Sequence, residues 1–221
     1  MCNWHYIWLL TLKKFNPNFK LTMKKITVLA LAIFAMALSN SSFAQVKDNA
    51  VKVNIVGAVI GQYQLAYERA LNEHMSVQLS VGYVTRSYDL APVYTSKTSG
   101  FLVIPEFRYY FKESLQGAYA AAFFRYRGVT TTYDFLDETY DYDYEEKRTS
   151  IGGGLVLGYQ ALISDAVVFD IFLGPQFKSA SYKAKYDDNT LGTGFYDTIS
   201  FKGVEDSGVG VRFGFNLGVA F

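Results

Sequence analysis

The sequence predicts an all-β protein, an eight-stranded antiparallel up-and-down barrel whose apolar face is turned outward into a membrane. Three observations support this prediction. Apolar and polar residues alternate along eight segments, short and mostly long connections alternate between those segments, and the chain closes on an aromatic strand. An alternation with a period of two is the pattern of a strand with two unlike faces. No segment shows a helical period instead.

The final strand, residues 208–221, shows the pattern most clearly. Valine, phenylalanine and leucine fill its odd positions from Val209 to Phe221. Its even positions hold glycine or alanine, apart from Arg212 and Asn216. One face of this strand is therefore apolar, and the other is small or polar.

The N-terminal region is typical of a secretory signal peptide from Met23 to Ala44. Lys24 and Lys25 precede an apolar segment of thirteen residues, 26–38, and Ser42 and Ala44 place small residues at the cleavage positions. Thirteen residues are too few for a transmembrane helix, which needs roughly 20. We expect cleavage after Ala44 and a mature chain that begins at Gln45.

This assignment divides the chain into three parts. Residues 1–22 are interpreted as a mis-assigned N-terminal extension, residues 23–44 as the signal peptide, and residues 45–221 as the barrel. The single cysteine, Cys2, lies in the first part, so the mature chain has no thiol for a disulfide or for thiolate chemistry.

The mature chain is mildly acidic. Five lysines and no acids precede position 45, so 21 − 5 = 16 basic residues remain against 20 acidic ones, a net charge of −4. A basic stripe that would neutralise phosphates is missing, which argues against a nucleic-acid partner.

Seven further segments alternate in the same way. The predicted strands are 51–60, 63–71, 76–88, 101–111, 118–133, 148–163 and 167–182. Short turns are expected at 72–75, 112–117 and 164–166, and longer loops at 89–100, 134–147 and 184–207. This asymmetry is typical of outer-membrane barrels, although the first connection, at Gly61, is short. We expect a bulge at Pro105, because proline interrupts a ladder.

The face opposite the apolar one carries charges of both signs, with glycines that leave room for them. A soluble, lipocalin-like barrel would turn its apolar face inward, whereas a membrane barrel turns it toward lipid. Because an eight-stranded barrel is narrow enough to be filled by side chains, and because buried charges must be paired, we predict a charge network in the interior. Its predicted members are Glu68, Glu106, Arg108, Arg125, Arg127, Asp170, Lys178 and Arg212.

Two motifs, Tyr67-Glu68-Arg69 and the segment 105–111, resemble a family of small Gram-negative outer-membrane barrels of undefined function, and the broader likeness is to the outer membrane protein A and X type. The terminal run 212–219, which closes on Phe221, resembles the C-terminal signal of such barrels. The resemblance implies an assembly signal read by the barrel-assembly machinery, formed by Phe213, Phe215, Leu217, Val219 and Phe221. It also implies an outer-membrane location among lipid and lipopolysaccharide, and a monomer.

Candidate residues for chemistry are few, and we expect no enzyme, cofactor or metal. His74, the one histidine of the mature chain, is predicted to lie in a turn at the periplasmic end. The acidic loop 134–147 is interpreted as a charged, exposed hairpin, with calcium binding as the alternative. The expected function is a structural role in the envelope, or partner binding through the external loops. A lipid-modifying enzyme and a soluble binding barrel are the alternatives.

Overall fold

The structure is a computed structural model that describes residues 47–90, 94–136, 141–164, 166–188, 199–201 and 207–221. It is a closed, antiparallel barrel of eight strands, which confirms the predicted fold class. The elements are β1 (Asn49–Asn54), α1 (Ile55–Val59), β2 (Gln62–Ala70), β3 (Met75–Leu90), β4 (Tyr94–Tyr110), β5 (Gly117–Leu136), β6 (Asp141–Ile163), β7 (Val167–Asp188), β8 (Ile199–Phe201) and β9 (Gly208–Ala220).

The barrel is an up-and-down ring. Strands β1 to β7 each pair with the next one, β7 pairs with β9, and β9 returns to β1. The three-residue strand β8 lies outside this ring, where it pairs with the far end of β7. Within the ring every pairing is antiparallel and joins two neighbouring strands.

The predicted short turns lie together at one end of the barrel. The start of the first strand and the end of the last strand lie at the same end. The Tyr110 amide donates to the His74 carbonyl at 2.7 Å, which joins the β2–β3 turn to β4. The Asn49 amide donates to the Phe221 carbonyl at 3.1 Å, which joins the first strand to the last residue. We call this the turn end and the opposite end the hairpin end.

The predicted strand 51–60 is wrong in its second half. Strand β1 stops at Asn54, and residues 55–59 form the short helix α1. The Asn54 side chain caps the helix by accepting from the Gly57 amide, and Gly61 makes the return turn with a φ of 76°. Gly57 has no room for a Cβ beside the Gln62 carbonyl, which fixes this close approach.

The predicted long loops are largely strands. Residues 94–100 belong to β4, residues 134–136 and 141–147 belong to β5 and β6, and β7 continues to Asp188. Strand β5 has 20 residues, β6 has 23 and β7 has 22. A membrane crossing needs only about 9–11, so the hairpins extend the wall well beyond that length. Residues 91–93, 137–140, 189–198 and 202–206 of these predicted loops lie outside the described residues.

Pro105 does not produce the predicted bulge. The β4–β5 ladder pairs Val103 with Tyr126 and resumes with Glu106 opposite Phe123, so both strands advance by the same number of residues. On its other side, Pro105 keeps its place opposite Leu79 of β3. Pro175 interrupts the β6–β7 ladder in the same way. Each proline therefore removes hydrogen bonds on one side without shifting the register.

The two faces of the wall are as unlike as the alternation predicts. Leu65, Leu79, Phe107, Leu157 and Leu173 are among the large apolar side chains exposed on the outside. The buried interior holds charged residues together with an apolar cluster that includes Leu102, Ile104, Phe123, Val156 and Phe172. A soluble barrel with its apolar face inward does not fit this arrangement.

The predicted extension, signal peptide and cleavage site fall within residues 1–46, which lie outside the described residues. Among the residues that the structure does describe, none forms a helix of the length and hydropathy needed to cross a membrane.

Candidate functional site: a buried charge cluster

Six charged side chains meet inside the barrel, and five strands of the ring supply them. Lys52 comes from β1, Glu68 from β2, Glu106 and Arg108 from β4, Asp170 from β7 and Arg212 from β9. All six occupy even positions, which face inward on these strands. We call this group the charge cluster. It contains three cations and three carboxylates, so its formal charge is zero.

Lys52 lies between two carboxylates. Its Nζ atom is 2.5 Å from Glu68 Oε2 and 3.1 Å from Asp170 Oδ2. It also donates to Gln160 Oε1 at 2.9 Å. Each of the two ion pairs has 0% exposed side-chain area. The ammonium therefore uses all three of its donors on interior partners.

Arg108 bridges all three carboxylates from the opposite wall. Its Nη1 atom is 3.1 Å from Asp170 Oδ2 and 3.4 Å from Glu68 Oε2, and its Nε atom is 2.7 Å from Glu106 Oε1. The guanidinium also lies 4.4 Å from the centre of the Tyr119 ring. Lys52 and Arg108 thus share Glu68 and Asp170, which makes the cluster one network and not separate pairs.

Arg212 extends the network toward the hairpin end. Its Nη1 atom lies 2.7 Å from the second carboxylate oxygen of Glu106. The rings of Phe123 and Phe172 lie 4.2 Å and 4.5 Å from the guanidinium carbon. Arginine suits this place because its flat, weakly hydrated group packs against aromatic faces while it binds a carboxylate.

Neutral donors satisfy the remaining carboxylate oxygens. Glu68 Oε1 accepts from the hydroxyls of Ser76 and Tyr110, at 2.5 Å and 2.8 Å. Asp170 accepts from the Tyr119 hydroxyl at 2.6 Å and from Asn216 Nδ2 at 2.9 Å. Burying a charge is tolerable only when it is both paired and hydrogen-bonded. The cluster meets both conditions, and removal of one member leaves its partners uncompensated.

Two side-chain atoms of this region have no hydrogen-bond partner within the described part of the protein. They are Arg108 Nη2, a donor, and Gln78 Oε1, an acceptor. Since Gln78 lies opposite Glu106 in the register and Arg108 follows two positions later, the two residues belong to one side of the cluster.

Glycines make room for the bulky interior groups. A Cβ at Gly158 would collide with the Tyr119 ring, and a Cβ at Gly218 would meet the Lys52 side chain. At the turn end, the β4–β5 turn folds its Leu115 inward, where only 3% of the residue stays exposed. The Leu115 carbonyl accepts from Gln160 Nε2 at 2.8 Å, which ties this turn to the charge cluster.

The structure brings five of the eight predicted network residues together: Glu68, Glu106, Arg108, Asp170 and Arg212. The other three, Arg125, Arg127 and Lys178, have the predicted inward parity but are half-buried and lie nearer the hairpin end.

Sequence reasoning missed Lys52 and its partner Gln160. Lys52 stands on the polar parity of a predicted strand, so the alternation contained the signal for the lysine. Tyr110 and Tyr119 were missed for a different reason. Aromatic residues are typical of the outward face, so residue type alone did not identify these two tyrosines as interior.

The five residues of the predicted assembly signal all lie outside the charge cluster. Phe213, Phe215, Leu217, Val219 and Phe221 occupy odd positions of the last strand and its end, and Phe213 is 64% exposed. The Phe215 ring lies 6.1 Å from the Phe169 ring, on the same outer face.

His74 lies in the predicted turn, exposed, with its ring 6.0 Å from that of Tyr109. It is therefore at the turn end, as predicted. The side chains of residues 134–144 lie outside the described residues, and those that are described contain no group of three or more metal-binding side chains.

Comparison with solved structures shows the same fold. The chain is similar to a major outer membrane protein from Thermus thermophilus, with a TM-score of 0.53 and 14% identity over 80% of this chain and 100% of that one. It also matches Ail, the attachment invasion locus protein of Yersinia pestis, with a TM-score of 0.44 and 11% identity over 80% of this chain and 100% of that one. At these identities the first likeness concerns the fold alone.

In sequence, no curated protein matches the chain. A family model does match, over residues 29–217, which include every strand of the ring except the last residues of β9. The chain belongs to the family described as protein of unknown function (DUF3575).

Proposed function

We propose that the protein is an integral barrel of the outer membrane with a structural role in the envelope, and that packed side chains close its interior to solutes. The observation that carries this proposal is the charge cluster, in which Lys52 and Arg108 join carboxylates from two other strands, β2 and β7, at 0% exposure. An eight-stranded barrel is only wide enough for side chains to fill it. Charged side chains that meet in so narrow an interior support a barrel without a continuous aqueous path at that level.

The outer face supports a position in lipid. Apolar side chains such as Leu155, Leu157 and Leu173 are each about 60% exposed there, which is costly in water over a continuous band. Hydrocarbon removes that cost, and a closed barrel leaves no unpaired edge in the membrane. The location of the Thermus relative in an outer membrane is consistent with this position.

Conductance across a planar bilayer tests the closed interior. We expect the purified protein to give no steps above the bilayer background. The variant Lys52→Ala/Arg108→Ala should conduct if it folds, because it removes both crossing cations, whereas Lys112→Ala, in an exposed turn, should not. Ion-conducting steps from the unaltered protein would disprove the closed interior. Fractionation of cells, with the protein followed by immunoblot, tests the outer-membrane location separately.

Partner binding at the hairpin end is the second candidate function. It is favoured by the length of β5, β6 and β7, which have 20, 23 and 22 residues where a membrane crossing needs about 9–11. Such hairpins would hold a broad surface away from the lipid. Replacing residues 131–146 with a two-residue Asn-Gly turn should abolish cell or matrix binding and preserve heat-modifiable gel mobility. Unchanged binding by this variant would rule out this hairpin as the contact.

We propose no enzymatic activity. The alternative is modification of membrane lipids, and it has a direct test, since deletion of the gene would then alter the acyl chains of lipopolysaccharide or phospholipid. An unchanged lipid mass spectrum is the result that we expect.

A further inference from the structure

Two buried polar atoms beside the charge cluster have no hydrogen-bond partner among the residues that the structure describes. Arg108 Nη2 is a donor, and Gln78 Oε1 is an acceptor. Arg108 is 0% exposed and Gln78 is 3% exposed, so both atoms are closed off from bulk solvent. Buried polar atoms of folded proteins almost always bind either another protein group or an ordered water molecule. These two atoms therefore indicate a ligand that the interior holds.

The strand register places the two atoms on the same side of the cluster. One row of the wall runs from Glu68 on β2 through Gln78 on β3 to Glu106 on β4, and all three side chains are buried. Arg108 follows Glu106 by two positions on the inner face of β4 and donates to it from Nε at 2.7 Å. Since Nη2 lies on the same edge of the planar guanidinium as the Nε–H group, its free N–H bond is directed toward this row.

The other polar atoms around this point already have partners. Both oxygens of Glu106 are bound, Oε1 by Arg108 Nε and Oε2 by Arg212 Nη1, each at 2.7 Å. Gln78 Nε2 donates to Ser80 Oγ at 3.3 Å, and this contact fixes which end of the amide carries the acceptor. A ligand at this point must therefore accept a hydrogen bond from the guanidinium and donate one to the amide oxygen.

Water is the ligand that meets both requirements in a closed interior. It accepts and donates at once, and buried waters bridge polar groups of this kind. A halide ion would accept from Arg108 Nη2 but could not donate to Gln78 Oε1. A metal ion would bind Gln78 Oε1 but would face the positive guanidinium, and the described residues contain no group of three or more metal-binding side chains.

We propose that the barrel holds one water molecule in a fixed site, where it accepts a hydrogen bond from Arg108 Nη2 and donates one to Gln78 Oε1. Through this water, Gln78 becomes a member of the charge cluster and holds the guanidinium from the β3 side. The site does not depend on the envelope role, and one enclosed water is not a path through the barrel. Conductance and occupancy of this site are therefore separate results.

A crystal structure of the unaltered protein, at a resolution that shows ordered waters, tests the site directly. We expect a single density peak within about 3.2 Å of both Arg108 Nη2 and Gln78 Oε1. A second crystal grown with bromide in place of chloride identifies the ligand, because bromide gives an anomalous signal and water does not. No anomalous peak should appear at the site. A bromide peak there, a direct bond between the two side chains, or the absence of any peak would overturn the proposal.

Gln78→Met shows whether the amide holds the water, since methionine has nearly the same length and volume but no acceptor for this bond. The density peak should be lost in this variant. Gln176→Met is the matched control, because Gln176 is also an inward glutamine, on β7, and its Nε2 donates to the Val211 carbonyl at 3.2 Å. This control should keep the peak. A peak that persists in Gln78→Met would overturn the bridge to Gln78, and the unaltered protein decides the matter if that variant does not fold.

Discussion

Lys52 and Asp170 are separated by 118 residues in the chain, yet their charged atoms lie 3.1 Å apart inside the barrel. The contact joins β1 to β7, two strands that do not pair with each other. It therefore depends on closure of the whole ring, and it makes the charge cluster a sensitive reporter of the folded barrel.

Replacing Lys52 should destabilise the barrel strongly. Lys52→Met keeps most of the volume but leaves Arg108 as the one cationic partner of Glu68 and Asp170 among the described residues. Breaking a buried pair costs about 3–5 kcal/mol, so the urea midpoint of folding in lipid vesicles should fall clearly. Lys112→Met is the control, since Lys112 is exposed in the β4–β5 turn. Equal midpoints for the two variants would mean that water, and not the protein, compensates these carboxylates.

Arg108 and Arg212 should differ in their contribution to stability. Arg108 contacts Glu68, Glu106 and Asp170, whereas Arg212 contacts Glu106 and is 9% exposed. Arg108→Leu should therefore cost several kcal/mol, at the upper end of about 3–5, and Arg212→Leu less. In a double-mutant cycle, Glu106→Leu and Arg212→Leu should couple by about 0.5–3 kcal/mol. Additive effects would show that this 2.7 Å contact contributes nothing of its own.

Charges on the outer face should be tolerated according to their depth. Phe213 and Val209 both face outward on β9, at 64% and 84% exposure, but Val209 lies four residues nearer the hairpin end. Phe213→Arg places a charge in hydrocarbon at a cost of about 2–4 kcal/mol, whereas Val209→Arg, near the interface, costs about 0–1. The yield of heat-modifiable, folded protein in vesicles measures the difference. A soluble barrel would give equal yields and no need for vesicles.

Gly158 should not tolerate a side chain. A Cβ at this position would overlap the Tyr119 ring, which donates its hydroxyl to Asp170 at 2.6 Å. We expect Gly158→Ala to cost about 1–3 kcal/mol through overpacking. Gly128→Ala is the matched control on the outer face, where the nearest atom to a Cβ would be 3.6 Å away. Thermal unfolding in detergent should separate the two, and equal stability would mean that the Tyr119 ring has another place to go.

Much of the fold could be predicted because alternation is a local property. The outward parity of Leu157 or Phe213 follows from neighbours two positions away in the same strand. The helix at 55–59 could not be predicted in this way, because Ile55 and Val59 continue the apolar alternation of β1. The Asn54 side chain accepts a hydrogen bond from the Gly57 amide, and this N-cap stabilises a helix in spite of the alternation.

The charge cluster could be predicted only in part, for a related reason. Parity shows that Glu68 and Arg108 face inward, but their heights in the barrel depend on the stagger between strands. Arg125 has the same inward orientation as the cluster residues and still lies nearer the hairpin end. The alternation within one strand does not predict the stagger between strands. The pairing of Lys52 with Asp170, and the separation of Arg125 from Glu106, are therefore properties of the closed ring.

The shortness of β1 has a mechanical consequence. The seam between the first and last strands has five register pairs, from Ala50–Ala220 to Asn54–Asn216, whereas β9 meets β7 through twelve. Under mechanical force, we expect the barrel to open first between β1 and β9. Lys52 sits in the middle of that seam and reaches to Glu68 on one neighbour and Asp170 across the interior. The ion pairs of its ammonium with Glu68 and Asp170 therefore hold β1 in the wall from the interior, where the short ladder of β1 provides few hydrogen bonds.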